Sequence, residues 1–335
     1  MSDVMKRWEA HRPGIDALRV EEVVRPEPAP GEVLVRVTAV SLNFRDLAML
    51  EGSLGKWSGV QSPGSEMAGE VVAVGTGVTR FAIGDKVISV DIRHWIDGPA
   101  PEADTNTAPF LGRLAEYSTV PEDLLVRAPA SLDAAAASTL SVAGLTAWFA
   151  LVELAKVRAG ETVVVQGTGG VALFAVQFAA AHGASVIVVS GSKRKLERVK
   201  ALGATHGIDR SEIEDWDSHV LKLTGGRGAD HVLEMGGGDI TRSLNAIRVG
   251  GRISIIGLLN GSELRASITT IMFKRAQLVG LGVGHRRALQ DMIAAIDHLK
   301  LQPVIDAVYS FDQVPEAFAH VKRGAFGKVV VRIER

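Results

Sequence analysis

Glu161-Thr-Val-Val-Val-Gln166 runs directly into Gly167-Thr-Gly169-Gly170-Val171-Ala172, and residues 171–182 are almost wholly apolar. This junction decides the fold. The first six residues form a short, β-branched run without alternation, which suits a strand buried on both faces. The last stretch has the length and apolarity of a buried helix, closed by Gly183. Between them lies the G-x-G-x-x-G/A spacing, in the strand–turn–helix context that dinucleotide binding requires. Gly167 permits the tight turn, Gly169 lets the backbone approach a pyrophosphate, and Ala172 is small enough for close helix–strand packing. Gly170 and Val171 open the helix, whose N-terminus offers N–H groups and a positive dipole end to phosphates. A glycine turn that merely links the two elements is the plainer alternative.

Toward the C-terminus the alternation continues. The pattern predicts a strand at 185–190 and an amphipathic helix at 193–202, stopped by Gly203. Further strands are expected at 229–235, 252–258 and 276–283, with helices around 214–224, 239–247 and 286–300. Buried strands alternating with helices imply a parallel sheet covered on both faces, a doubly wound α/β domain. Toward the N-terminus the character changes. Residues 18–24 and 32–40 are β-rich and separated by the Pro/Gly turn at 26–31, and 67–74 and 85–90 read as strands. Residues 91–113 lose this periodicity, and 97–110 reads as a surface loop. The tail returns to strand–helix–strand, ending at 328–333.

The end of the second parallel strand selects the dinucleotide. An NAD site places Asp or Glu about 20 residues after the glycines, on the ribose hydroxyls. Here that position is Ser190, followed by Gly191-Ser192-Lys193-Arg194-Lys195, with no carboxylate. Small hydroxyls and cations accept a 2′-phosphate that a carboxylate would repel. The reading is NADP(H), with Ser190, Ser192, Lys193 and Arg194 near the phosphate. Ser192 can also serve as the helix cap, and the two roles are compatible.

Composition bounds the rest. At roughly 150 residues per domain, 335 residues suggest two domains. A formal net charge of −1 gives no bulk attraction to nucleic acid or anionic membrane. No cysteine is present, which excludes disulfides, thiolate nucleophiles and Cys-ligated zinc. No apolar run reaches the roughly 20 residues of a membrane span, and the N-terminus lacks a secretory pattern. A cytoplasmic location is the expectation.

Several further motifs lie in order along the chain. They are Val-Ser-Leu-Asn-Phe-Arg-Asp (40–46), Pro-Gly-Ser-Glu-Met-Ala-Gly-Glu-Val-Val-Ala-Val-Gly (63–75), Gly-Asp-Lys-Val (84–87) and Ser-Val-Ala-Gly-Leu-Thr-Ala-Trp (141–148). Leu-Gly-Ala (202–204), Thr-Gly-Gly-Arg-Gly-Ala-Asp (224–230), Gly-Gly-Arg-Ile (250–253) and Gly-Lys-Val-Val (327–330) follow. Together with the glycine loop they resemble the medium-chain dehydrogenase/reductase superfamily over nearly the whole chain. The resemblance implies a GroES-like β-rich catalytic domain (1–124 and 287–335) and a Rossmann domain (125–286), with the active site in the cleft. Classical members hold a catalytic zinc. Their first ligand matches Asn43, their Gly-His-Glu ligand matches Gly64-Ser65-Glu66, and their third falls near Val142. Only Glu66 of that set suits a metal, so no metal is expected. The chain looks most like zinc-independent quinone oxidoreductases and related enone or alcohol-type reductases.

Without metal, hydrogen-bond donors must polarise the substrate. Asn43 is the first candidate and Arg45 the second; a turn cap and an Arg45–Asp46 pair are the structural alternatives. By resemblance Thr146, Gly257, Leu258, Gly282, Val283 and Lys328 contact the cofactor, and Arg210 lies near its adenine end. Met49, Trp57, Trp95 and Phe110 are expected to wall an apolar pocket, or to be ordinary core or lid side chains. The expected activity is NADPH-dependent hydride transfer to a quinone, α,β-unsaturated ketone or aldehyde. The alternatives are an NADP-dependent alcohol dehydrogenase run oxidatively, or a non-enzymatic NADPH-binding protein. A homodimer joined through the edge strand at 276–283 is expected by the same analogy.

Overall fold

The computed structural model describes residues 4–54, 57–102 and 112–333. They fall into two compact units, Met1–Leu145 with Val283–Arg335, and Thr146–Gly282. The first unit opens with an antiparallel ribbon, β1 (Val4–Ala10) and β2 (Leu18–Val24). Five strands follow: β3 (Glu32–Leu42), β4 (Glu66–Val74), β5 (Lys86–Ser89), β6 (Tyr117–Pro121) and β7 (Leu125–Arg127). All their pairings are antiparallel: β3 with β4 and β6, β4 with β5, and β5 with β7. Val33, Val35, Val37, Val71, Val87 and Ile88 fill the core of this sheet. Their branched side chains suit a pleated, buried surface.

The second unit contains β8 (Thr162–Gln166), β9 (Ser185–Ser190), β10 (His206–Asp209), β11 (Ala229–Glu234), β12 (Gly238–Asp239), β13 (Ile247–Ile255), β14 (Leu264–Arg265) and β15 (Gln277–Gly280). Six of these make one parallel sheet in the order β10-β9-β8-β11-β13-β15. This is the doubly wound dinucleotide-binding order, reversing direction beside the first strand. Val163, Val164 and Val165 are fully buried, as a central parallel strand requires. The Rossmann fold is therefore as the glycine junction predicts.

Several element ends differ from the sequence reading by a few residues, and two differences matter for the architecture. The strand expected at 252–258 begins at Ile247 and ends at Ile255. Gly250 and Gly251 do not precede it; they lie inside a bulge, where the register against β11 shifts between Ala229 and His231. The unit division also falls elsewhere than at 124/125 and 286/287. Strand β7 adds to the first sheet, and that unit runs on to Leu145 and resumes at Val283.

After helix Arg286–Leu299, the chain returns to the first sheet with β16 (Ile305–Ser310) and β17 (Lys328–Arg332). Strand β17 runs antiparallel to β3, pairing Val329 with Leu42. This register carries Lys328 to the end of β3, where Asn43 begins. Among the described residues, no helix is long and apolar enough to cross a membrane.

Candidate active site

Nothing periodic in residues 40–50 announces it, but Phe44–Leu50 is a helix with Asn43 at its N-cap. Asp46 reaches back to accept the Asn43 backbone N–H at 2.9 Å, half of a capping box. The Asn43 side chain does other work. Its amide nitrogen donates to Ser65 Oγ at 3.2 Å and to Glu66 Oε1 at 2.9 Å. Its amide oxygen accepts from Lys328 Nζ at 2.6 Å. Lys328 is 3% exposed, and its other protons go to the Leu42 carbonyl at 2.9 Å and to Glu66 Oε1 at 3.0 Å. Glu66 is fully buried, and its second oxygen accepts the Val142 N–H at 2.8 Å. Ser65 Oγ donates to Asp46 Oδ2 at 3.1 Å. Burial pushes the Asp46 carboxyl up to about 6, against Arg45 and the hydrogen bonds from Asn43 and Ser65.

This network reassigns two of the expected site residues. Asn43 has both amide hydrogens engaged within the protein, so it braces the site and does not offer a donor to substrate. Lys328 has all three ammonium protons engaged on Leu42, Asn43 and Glu66, where resemblance implied a cofactor contact.

Arg45, the second residue of the helix, behaves differently. Its Nη1 donates to Asp91 Oδ2 at 2.5 Å, and not to the neighbouring Asp46. Its side chain remains 26% exposed, whereas that of Asp91 is 4% exposed. Burial pulls the Arg45 guanidinium down, but Asp91 and Asp46 outweigh it and hold it above its ordinary value. Asp91 also interacts by charge with Arg113, a buried guanidinium that donates to Ser118 Oγ at 2.6 Å. No sequence motif points to Asp91 or Arg113. Asp91 follows β5, and neither residue carries a spacing signature.

In the second unit the expected dinucleotide residues gather at the C-terminal ends of the parallel strands. Gly167 closes β8 with φ +80° and donates its N–H to the Val189 carbonyl at 2.7 Å. Gly169 is the N-cap of helix Gly170–Ala181, which Val171 continues. A Cβ on Gly167 or Gly169 would have no atom within 4 Å. Gly169 also has an ordinary φ of −81°, so no internal crowding demands a glycine there. The open side of the loop fits a pyrophosphate lying against backbone N–H groups. Below it, Gln166 donates to Glu234 at 2.7 Å and to Ser243 at 2.8 Å, and Ser243 donates to Glu234. This buried knot ties the ends of β8 and β11, and sequence reading did not identify it.

Ser190 ends β9, and its carbonyl accepts the Arg210 N–H at 2.9 Å. The Arg210 side chain lies over Gly191. Ser192 is the N-cap of helix Lys193–Lys200, yet its hydroxyl makes no cap hydrogen bond. Lys193 stands 4.0 Å from Glu212 with both side chains exposed, a pair of little energetic weight. Arg194 and Arg210 are exposed, and neither side chain has a hydrogen-bond partner among the described residues. The nearest acid on this strand end, Asp209, is engaged by Ser211 through N–H and hydroxyl.

The remaining expected residues divide between the units. Met49 and Trp57 are half-buried in the first unit. Trp95 is buried there, its indole N–H on the Gly98 carbonyl at 2.9 Å and its ring edge-on to His285. Its carbonyl accepts the Arg286 N–H, so the chain just before the expected surface loop at 97–110 is pinned to helix Arg286–Leu299. Phe110 lies outside the described residues. Val283 is buried in the first unit. In the second, Thr146 is buried, Leu258 is exposed, and Gly257 and Gly282 follow β13 and β15. A Cβ on Gly257 would meet the Met235 carbonyl at 2.0 Å.

Residues 29–130 match the family model of the alcohol dehydrogenase GroES-like domain, and residues 170–300 that of the zinc-binding dehydrogenases. A zinc-type alcohol dehydrogenase-like protein of Schizosaccharomyces pombe is 37% identical over 96% of both chains. The chain belongs to the medium-chain dehydrogenase/reductase superfamily. A solved alcohol dehydrogenase-like chain from Sinorhizobium meliloti 1021 is 49% identical, covers 99% of this chain and 100% of its own, and has a TM-score of 0.93. A solved NAD-dependent alcohol dehydrogenase is 30% identical over 98% of this chain and 100% of its own, with a TM-score of 0.87. As a medium-chain dehydrogenase/reductase, the protein is an oxidoreductase that uses a nicotinamide dinucleotide.

The superfamily implies zinc in its classical members, but the residues here do not fit a catalytic zinc. Val142 has no side-chain donor, and Asn43 and Ser65 are weak ligands beside the usual imidazole and thiolate. The Lys328 ammonium already stands on Asn43 and Glu66. Among the described residues, no three His, Asp or Glu side chains group as a metal set.

Proposed function

We propose that this enzyme is an NADPH-dependent, zinc-independent reductase of quinones, α,β-unsaturated ketones or aldehydes, with Arg45 polarising the carbonyl oxygen. The observation that carries this reading is the Asn43–Lys328–Glu66 network. It uses internal hydrogen bonds and an ammonium where a metal enzyme would present open ligands. Bound NADPH supplies the hydride from its nicotinamide C4. Gly167, Gly169 and Gly170 hold the pyrophosphate against the helix N-terminus. Ser190, Ser192, Lys193, Arg194 and Arg210 receive the 2′-phosphate, since unpartnered cations and an unused cap hydroxyl gather there. The Arg45 guanidinium donates to the oxygen on which negative charge develops, and Met49 and Trp57 present apolar surface to the acceptor. The oxygen then takes a proton from solvent, leaving the reduced product and NADP.

The test is NADPH oxidation by chelator-treated protein against a quinone, an enone and an aldehyde, with NADH in parallel. Turnover that survives chelation and exceeds that with NADH is expected. Loss of activity to the chelator, or a preference for NADH, would overturn the zinc or the cofactor assignment respectively.

We also propose a homodimer that pairs β15 of two copies. This strand ends its sheet, and helix Ile268–Lys274, which precedes it in the chain, leaves Ile268, Met272 and Phe273 exposed, Phe273 by 82%. Light scattering should give twice 35.5 kDa for the native protein and a monomer for Phe273→Asp. A native monomer would remove the proposal.

A further inference from the structure

We propose that Asp91 is the positioning residue for Arg45, fixing the guanidinium by one oxygen so that its other donors remain available to the substrate. This rests on the reading of Arg45 given above. An arginine side chain has several rotatable bonds, and holding one in a single pose costs conformational entropy unless a partner fixes it. Asp91 is that partner. It follows β5, and the neighbouring Val90 N–H is anchored on the Leu124 carbonyl at 2.7 Å. Its carboxylate is thus carried on a braced strand end and is nearly inaccessible to water. The pairing is single-point: Asp91 Oδ2 meets Arg45 Nη1 at 2.5 Å, while Asp91 Oδ1 has no hydrogen-bond partner among the described residues. A bidentate pair would engage two guanidinium nitrogens. This one leaves Arg45 Nη2 and Nε without a partner among the described residues.

A second guanidinium, Arg113, interacts with the Asp91 charge. It is buried, donates to Ser118 Oγ, and leaves its Nε without a hydrogen-bond partner. Burial pushes its guanidinium down to about 10, and Asp91 is the charge that opposes this. Arg113 therefore keeps its positive charge at neutral pH, and that charge acts on Asp91 as well.

A double-mutant cycle tests the inference. Asp91→Asn, Arg45→Met and the double variant are compared in kcat and KM for the acceptor turned over best. NADPH affinity and thermal melting are measured on each, with Asp91→Glu as a charge-retaining variant. Asp91→Asn should lower kcat by about 10- to 100-fold, the range for losing an outer partner that orients a reacting group. NADPH affinity should be unchanged, and Asp91→Glu should recover part of the loss. In the Arg45→Met background the same substitution should add less than about twofold, because the two residues act as a unit. An equal further drop in that background, a wild-type kcat in Asp91→Asn, or parallel losses of melting temperature and NADPH binding would each overturn it. A wild-type kcat in Arg45→Met would overturn the underlying role of Arg45. A crippled Arg45→Met beside a normal Asp91→Asn would overturn this inference alone.

Discussion

Replacing Arg45 with methionine should lower kcat for the preferred carbonyl acceptor by about 100- to 1000-fold, the usual cost of losing a hydrogen-bond donor to a developing oxyanion. Methionine keeps the apolar stem and removes the guanidinium, so the loss falls on charge stabilisation and not on packing. The KM for NADPH should hold, because the guanidinium's partner is Asp91, in the same unit. Arg45→Lys should recover little. A single ammonium lacks the planar fork that can serve Asp91 and a substrate oxygen together. Steady-state kinetics with both substrates varied separates these outcomes. An unchanged kcat would mean that another group polarises the substrate.

Lys328→Met should cost about 3–5 kcal/mol of unfolding free energy, the range for breaking one side of a buried ion pair. The reason is the carboxylate left behind. Glu66 is fully buried, and without Lys328 it keeps the Asn43 and Val142 hydrogen bonds but has no countercharge. Asn43 Oδ1 and the Leu42 carbonyl lose a donor as well. Adding Glu66→Gln removes the stranded charge, so the double variant should be more stable than Lys328→Met alone. Urea unfolding of the three variants measures this. A loss below about 1 kcal/mol in Lys328→Met would place the pair among those with little net worth.

The two effects arise from neighbouring parts of one construction, since Asn43 and Arg45 lie two residues apart on the same helix start. Lys328, Glu66 and Ser65 hold that start rigid, and Asp91 aims the arginine from it. A tightly packed, fully bonded polar cluster is a stiff platform. On it, a donor can meet a developing charge without reorganising first.

The dinucleotide domain was legible because its signals are local. Strand, glycine loop and helix are contiguous in 161–182, and the spacing of small residues between them is itself the signal. Ser190 could be counted out from that loop, since strand and helix lengths fix the distance. The start of β13 was less legible, because its expected strand begins at 252 whereas the chain already pairs from Ile247 through a bulge at Gly250 and Gly251. Helix Phe44–Leu50 is only seven residues long, too short for periodicity to reveal it.

From the sequence alone came the α/β class, the dinucleotide loop, the missing zinc ligands, and the candidacy of Asn43 and Arg45. Only the tertiary structure divided the roles of those two. Asn43 is bonded to Lys328, 285 positions away, and Arg45 to Asp91, 46 positions away. A side chain's chemistry depends on which of its donors and acceptors are already satisfied. For these residues that is decided where β17 returns beside β3 and where β5 ends, by pairings between strands far apart in the chain.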